Sequence, residues 1–287
     1  MTGTTLHEAP VAVLPGTSAR PRGDGRGPRR LLGLLAPLAL LAAWFLEAAG
    51  GLVSVRLLPA PSTVGSALVD FFGPGRTSTL AGVVPFAGAG WQHLGASLTR
   101  CAVSWAAAVV IGTAVGLLLG LSRLGRDLLD PVLNALRAVP LFAWLPLALI
   151  WFGIGEGAAR ALIFVGALWP VLVSVADATS RVPRSHVETA RMLGVPARGL
   201  WRAVYLPSAL PEVVTGLRLS LTLAWTCVIV GELSGTSLGV GAMMNAARET
   251  GAVDQVVVGI LVFAAVGLGF DLLLRGLTRR WVRWADA

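Results

Sequence analysis

Lysine is absent from this sequence: all 23 basic residues among its 287 are arginine. A P-loop ATPase needs its Walker lysine on the nucleotide phosphates. This chain cannot supply one, so any work it does with ATP needs hydrolysis by another chain. Cysteine is nearly absent too. Cys101 and Cys227 lie inside apolar stretches and offer neither a disulfide framework nor a metal spacing. The three histidines, His7, His93 and His186, are far apart and form no HExxH or Cys/His cluster, so no cofactor or metal is expected. Charge is scarce: charged residues make up 13% of the chain, against about a quarter in a soluble domain. With 55% hydrophobic residues and a mean hydropathy of +0.75, the composition belongs in a lipid bilayer. The net charge of +8 would suit nucleic acid, but the arginines are scattered between apolar runs and form no single patch. They read as topology signals, because positive residues hold loops on the cytoplasmic side.

What is present is a series of apolar runs. Residues 1–28 are rich in Pro, Gly, Thr and Arg, cannot bury a core, and are expected to form a disordered cytoplasmic tail. A signal peptide is the alternative, and the length of the leader argues against it. Six transmembrane helices are predicted, near 31–50, 101–121, 138–155, 161–176, 209–231 and 255–274. With both termini cytoplasmic, the interior segments 1–30, 122–130, 179–208 and 275–287 hold 16 arginines. The outer segments hold only Arg56, Arg76, Arg100, Arg160 and Arg248. Residues 77–99 also lack charge, but a seventh span there would push two arginine-rich loops outside. Residues 51–98 are therefore expected to be an outer connection with a helix leading into the second span. Partial embedding of 77–99 stays open.

The longest interior loop between spans, about 182–207, is patterned. Ser185 and Glu188 have capping-box spacing. Val187, Ala190 and Leu193 recur on one helical face. Gly194 suits a helix stop and Pro196 the start of a second helix, with Leu200, Trp201 and Val204 on its apolar face. A pair of short helices at the membrane surface is predicted.

This spacing resembles the EAA loop of ABC-importer permease subunits. Glu188, Ala190 and Gly194 match its first half; Val204, Leu206 and Pro207 match the second, nine residues on. Thr189 and Val204 are mild departures. "LLPAPSTVGSAL" at 57–68, "SLTRCAVSW", "RAVPLFAWLPLALIWFGIGE" and "VIVGELSGTSLGVGAMM" resemble the nitrate, sulfonate and taurine branch, although Ser237 stands where that branch usually has glycine. The resemblance implies an all-α integral membrane protein of the type I ABC importer permease fold, in the bacterial cell membrane. Residues 29–287 would form the permease domain. The implied partners are cytoplasmic ABC ATPase subunits, an extracytoplasmic solute-binding protein and a second copy of the chain as a homodimer. In that scheme Glu188 caps the first helix, Gly194 permits the turn, and Leu200 and Trp201 dock into the ATPase.

Substrate-path candidates are Trp144, Trp151, Trp225 and Glu232, named for their place in or beside the spans. Arg218 and Asp271 sit near interior ends, where snorkelling or an Asp271–Arg275 pair at i,i+4 accounts for them. An ion-gradient-driven secondary transporter is the alternative function. It would show internal repeats and mid-membrane acids, and neither appears in the sequence.

Overall fold

The computed structural model describes residues 26–51, 54, 57–73, 86 and 88–281, with only the helical backbone described at 26–34, 37 and 277–281. The tail expected at 1–28 lies outside the described residues as far as residue 25. Among the described residues every regular element is helical. They are α1 (Arg26–Gly50), α2 (Pro61–Phe72), α3 (Gly90–Leu121), α4 (Arg123–Ala138), α5 (Leu145–Phe152), α6 (Glu156–Ser180), α7 (Arg184–Met192), α8 (Ala197–Leu200), α9 (Leu206–Leu233), α10 (Val240–Thr250) and α11 (Val253–Trp281).

Four helical runs are long and apolar enough to cross a membrane: α3, α6, the continuous run Ala197–Leu233, and α11. A bent pair, Arg123–Ala138 with Leu141–Phe152, is apolar enough only when taken together, and brings the number to five if it is one broken span. With α1, whose Leu38–Gly50 stretch is apolar, the architecture accommodates the six expected crossings.

The helix expected to lead into the second span is present: α3 starts at Gly90, and residues 90–99 run into the crossing without a break. At about 1.5 Å per residue the 32 residues of α3 span roughly 48 Å. Two other features differ from the sequence reading. The third crossing is not one straight helix over 138–155. It breaks after Ala138 and bends by 96°, because Pro140 has no N–H to continue the ladder. A short 3-10 turn (Leu141–Trp144) then leads into α5, where Pro146 sits harmlessly in the first turn. Finally, the second loop helix is not separate. A π turn at Trp201–Tyr205 joins α8 to α9.

Close packing centres on α6, which lies between α3 and α9. Small residues make this possible. Gly112, Gly116 and Gly120 repeat every four residues along α3 and face α6; a Cβ at Gly116 would lie 2.7 Å from the Leu172 carbonyl oxygen. Lipid offers no hydrophobic drive between helices, so such close approach is what holds them. On the other side, a Cβ at Gly231 of α9 would come within 2.9 Å of the Ala159 backbone. Ser220 of α9 donates to the Ala167 carbonyl of α6 at 2.7 Å. That bond lies near Pro170, which interrupts the helical ladder of α6.

Candidate functional site

The patterned loop folds on itself. α7 ends in a Schellman turn: Val195 N–H donates to the Ala190 carbonyl at 3.0 Å and Gly194 N–H to that of Arg191 at 2.9 Å. Gly194 takes φ +83, as its place after the helix requires. Pro196 is the N-cap residue of α8. Ala190, Leu200 and Val204 are buried together, with Val182, Val187, Val195 and Tyr205 packed around them. This gives the loop a small apolar core of its own. Trp201 stacks on Tyr205 with ring centroids 6.0 Å apart. Pro207 lies in the first turn of α9, where Leu206 is exposed.

Three details of the sequence reading change. The Ser185–Glu188 capping box does not form. α7 starts at Arg184 behind Pro183, two residues earlier than the box requires, and no side chain caps it; Glu188 is exposed. Leu193 does not share the buried face. It is the residue at which the chain leaves the helix, and it is 79% exposed beside Met192 at 86%. Leu200 is 4% exposed, inside the loop core, so it cannot be a docking residue in this conformation. The most exposed apolar pair in the loop is Met192–Leu193.

At the other end of the helices is a buried ionic knot. Arg100 of α3 is 3% exposed. Its Nε donates to Glu156 Oε2 at 3.1 Å and one Nη to the Leu238 carbonyl at 2.9 Å. A further Nη pairs with Glu232 of α9. The Glu232 carboxylate also accepts from Ser97 Oγ at 2.6 Å and from Gly241 N–H at 2.7 Å. His93 Nδ1 lies 2.8 Å from the Gly239 carbonyl oxygen and 3.1 Å from its amide nitrogen. The knot thus fastens α3, α6, α9 and the chain entering α10. Gly239 has φ +142, and a Cβ there would run into the Glu232 carboxylate. Ser237, the departure noted in the sequence, is exposed and disturbs nothing.

The four substrate-path candidates do not converge. Trp144 and Trp151 line an apolar cavity of about 190 Å³ between α5 and α6. Trp225 is buried between α9 and α11, its Nε1 donating to the Phe263 carbonyl at 3.0 Å, with Phe263 and Phe270 against its ring. Glu232 belongs to the knot. The sequence reading treated Arg100 as an outer topology marker and missed its role as the centre of that knot. Its partners are 56 and 132 residues away, so no local spacing marks them. The sequence signal was only a charge at the head of a charge-free run. The Asp271–Arg275 pair forms at 2.7 Å, and Arg218 of α9 reaches Asp271 across the helices at 2.9 Å.

Comparison with known proteins fits this geometry. The family model described as "Binding-protein-dependent transport system inner membrane component" matches residues 108–283, which include the whole patterned loop. The taurine transport system permease protein TauC of Escherichia coli is 40% identical over 85% of this chain and 86% of its own. The putative aliphatic sulfonates transport permease protein SsuC of Bacillus subtilis is 34% identical over 96% of each. The bicarbonate transport system permease protein CmpB of Synechococcus elongatus is 32% identical over 92% of this chain and 95% of its own. A solved inward-facing structure of the MetNI methionine ABC transporter superposes with a TM-score of 0.54 at 24% identity, covering 67% of this chain and 94% of that one. That likeness carries the type I importer permease fold. Permeases of this kind sit in the inner membrane and work with an ATPase and a binding protein. The ion-gradient alternative falls with these matches. The chain belongs to the inner membrane components of binding-protein-dependent transport systems, and it is a multi-pass permease subunit of an ABC importer.

Proposed function

We propose that this permease works as a homodimer with both termini cytoplasmic, takes its cargo from a binding protein, and is driven through the 184–205 loop by a separate ATPase. The observation that carries the coupling is the shape of the loop. A self-packed turn presents Met192 and Leu193 outward, and from Ala197 the chain runs on as one continuous helix into the membrane. Two adjacent exposed apolar side chains on a rigid, arginine-bearing turn suit an apolar groove with an acidic rim. The docking residues are thus Met192 and Leu193, while Ala190, Leu200 and Val204 keep the loop in shape.

The cargo is a small solute bearing an oxyanion. The names of the relatives support this: taurine, aliphatic sulfonates and bicarbonate share a compact oxygen-bearing anionic group. The test is the double substitution Met192→Asp with Leu193→Asp. Both positions are exposed, so the chain should insert and melt as the wild type does. The ATPase should no longer co-purify, and ATP-dependent uptake should stop. Undiminished uptake by that variant overturns the docking assignment.

A further inference from the structure

We infer that Arg137 is the anion contact of the translocation path, placed at the break in the third crossing. The assignment rests on the importer reading above and adds the chemistry of the contact. α4 ends at Ala138 and helix resumes at Leu141, with the two halves at 96°. Non-helical backbone is tolerated at membrane depth only where protein buries it or where it lines an aqueous cavity. The depth follows from α6. The break faces Gly166, Trp169 and Pro170 across a cavity of about 270 Å³, and these residues lie in the middle of the 25-residue α6. A second cavity of about 270 Å³ runs from there toward the inner end, past Leu119 and Asp177. Arg137 and Trp169 line both cavities. Arg137 therefore stands where an outer and an inner chamber meet.

Arg137 is exposed, and its charge is not matched by the described residues. Among the described residues Arg137 makes no hydrogen bond or ion pair. Asp130 and Asp177 lie along the inner cavity, and Asp177 is engaged by Arg181 at 3.1 Å. The Trp144 indole N–H, beside the outer cavity, also has no acceptor. A cation in the last turn of α4 is favoured by the helix dipole. That effect explains a tolerated charge, but not two cavities that join at it. Donors without acceptors at mid-depth call for a ligand made of acceptors. Sulfonate, nitrate and bicarbonate each present paired oxygens, which a guanidinium fork matches bidentately and a lysine ammonium does not.

The experiment uses the permease reconstituted with its ATPase and binding protein in proteoliposomes. Uptake of labelled taurine, methanesulfonate, nitrate and bicarbonate is measured. The wild type should carry at least one. Arg137→Gln should slow that anion by about tenfold or more, with Arg137→Lys intermediate. Both should keep ATPase co-purification and stimulation by the loaded binding protein. Arg137→Cys should react with a sulfonate-bearing thiosulfonate reagent, and the transported anion should protect it. Wild-type uptake by Arg137→Gln overturns the assignment, as does an Arg137→Cys that stays unreactive both without nucleotide and with ATP. If Arg137→Gln fails to assemble, the cysteine reactivity decides. A wild-type complex that carries none of the four anions overturns the oxyanion reading, and this assignment with it.

Discussion

Arg100→Met asks what the ionic knot contributes. The substitution keeps much of the side-chain length and removes the charge. It deletes the bonds to Glu156 and to the Leu238 carbonyl and leaves the Glu232 carboxylate without its cation. The Glu232 side chain is wholly buried, whereas that of Glu156 is 47% exposed. Stranding one partner of a buried ion pair costs about 3–5 kcal/mol. Glu232 still accepts from Ser97 and Gly241, so the lower end, about 3 kcal/mol, is expected. At roughly 2–4 °C per kcal/mol, the melting midpoint should fall by about 6–12 °C. Glu156→Gln, at a half-exposed site, should cost about 1 kcal/mol or less. Combining Arg100→Met with Glu232→Gln removes both charges, so the pair should cost about 2 kcal/mol less than the sum of its parts. Cys101 and Cys227 are each 1% exposed. A thiol-reactive fluorophore therefore reports unfolding without an engineered cysteine. A midpoint for Arg100→Met within about 1 °C of wild type, or strict additivity in the double variant, refutes the reasoning.

A Cβ at Gly194 meets nothing within 4 Å, so a side chain there costs backbone strain alone. Gly194→Val should misplace the turn at about 1–3 kcal/mol and abolish uptake, while Gly194→Asn, tolerant of positive φ, should keep most of it; equal uptake by the two variants contradicts this. Arg198→Cys should resist a membrane-impermeant maleimide in intact cells, and Arg248→Cys should react; the reverse pattern overturns the proposed orientation.

The parts of this fold that were legible in the sequence are those whose causes are local. Ala190, Gly194 and Pro196 announce a turn because a Schellman cap and a proline start act within a few residues. The crossings were legible from uninterrupted apolar length. Where causes compete or lie far apart, the sequence misled. Ser185–Glu188 has capping-box spacing, but Pro183 takes the cap position first. Pro140 breaks its crossing, whereas Pro170 and Pro211 sit inside continuous helices, and spacing alone does not separate the cases. The joining of α8 to α9 depends on a π turn that carries no composition signal. Arg100 was counted as a loop charge because Glu156 and Glu232 reach it only after α3, α6 and α9 assemble.

The run Ala197–Leu233 is 37 residues long, about 55 Å of helix. Under the proposed coupling it would act as a single lever. One arm begins in the loop core, and the far end is bolted by Glu232 to Arg100. Between them Ser220 and Gly231 hold it to α6, which serves as the fulcrum. If Met192 and Leu193 dock as proposed, a push on them would not be absorbed as slack in a floppy connection. It would emerge as tilt of the whole rod, or as a change of pitch at the π turn Trp201–Tyr205, where its winding is already irregular. Because the Arg100 knot joins three helices, α3, α6 and α9 would tilt together, and the two cavities beside α6 would change shape in the same stroke.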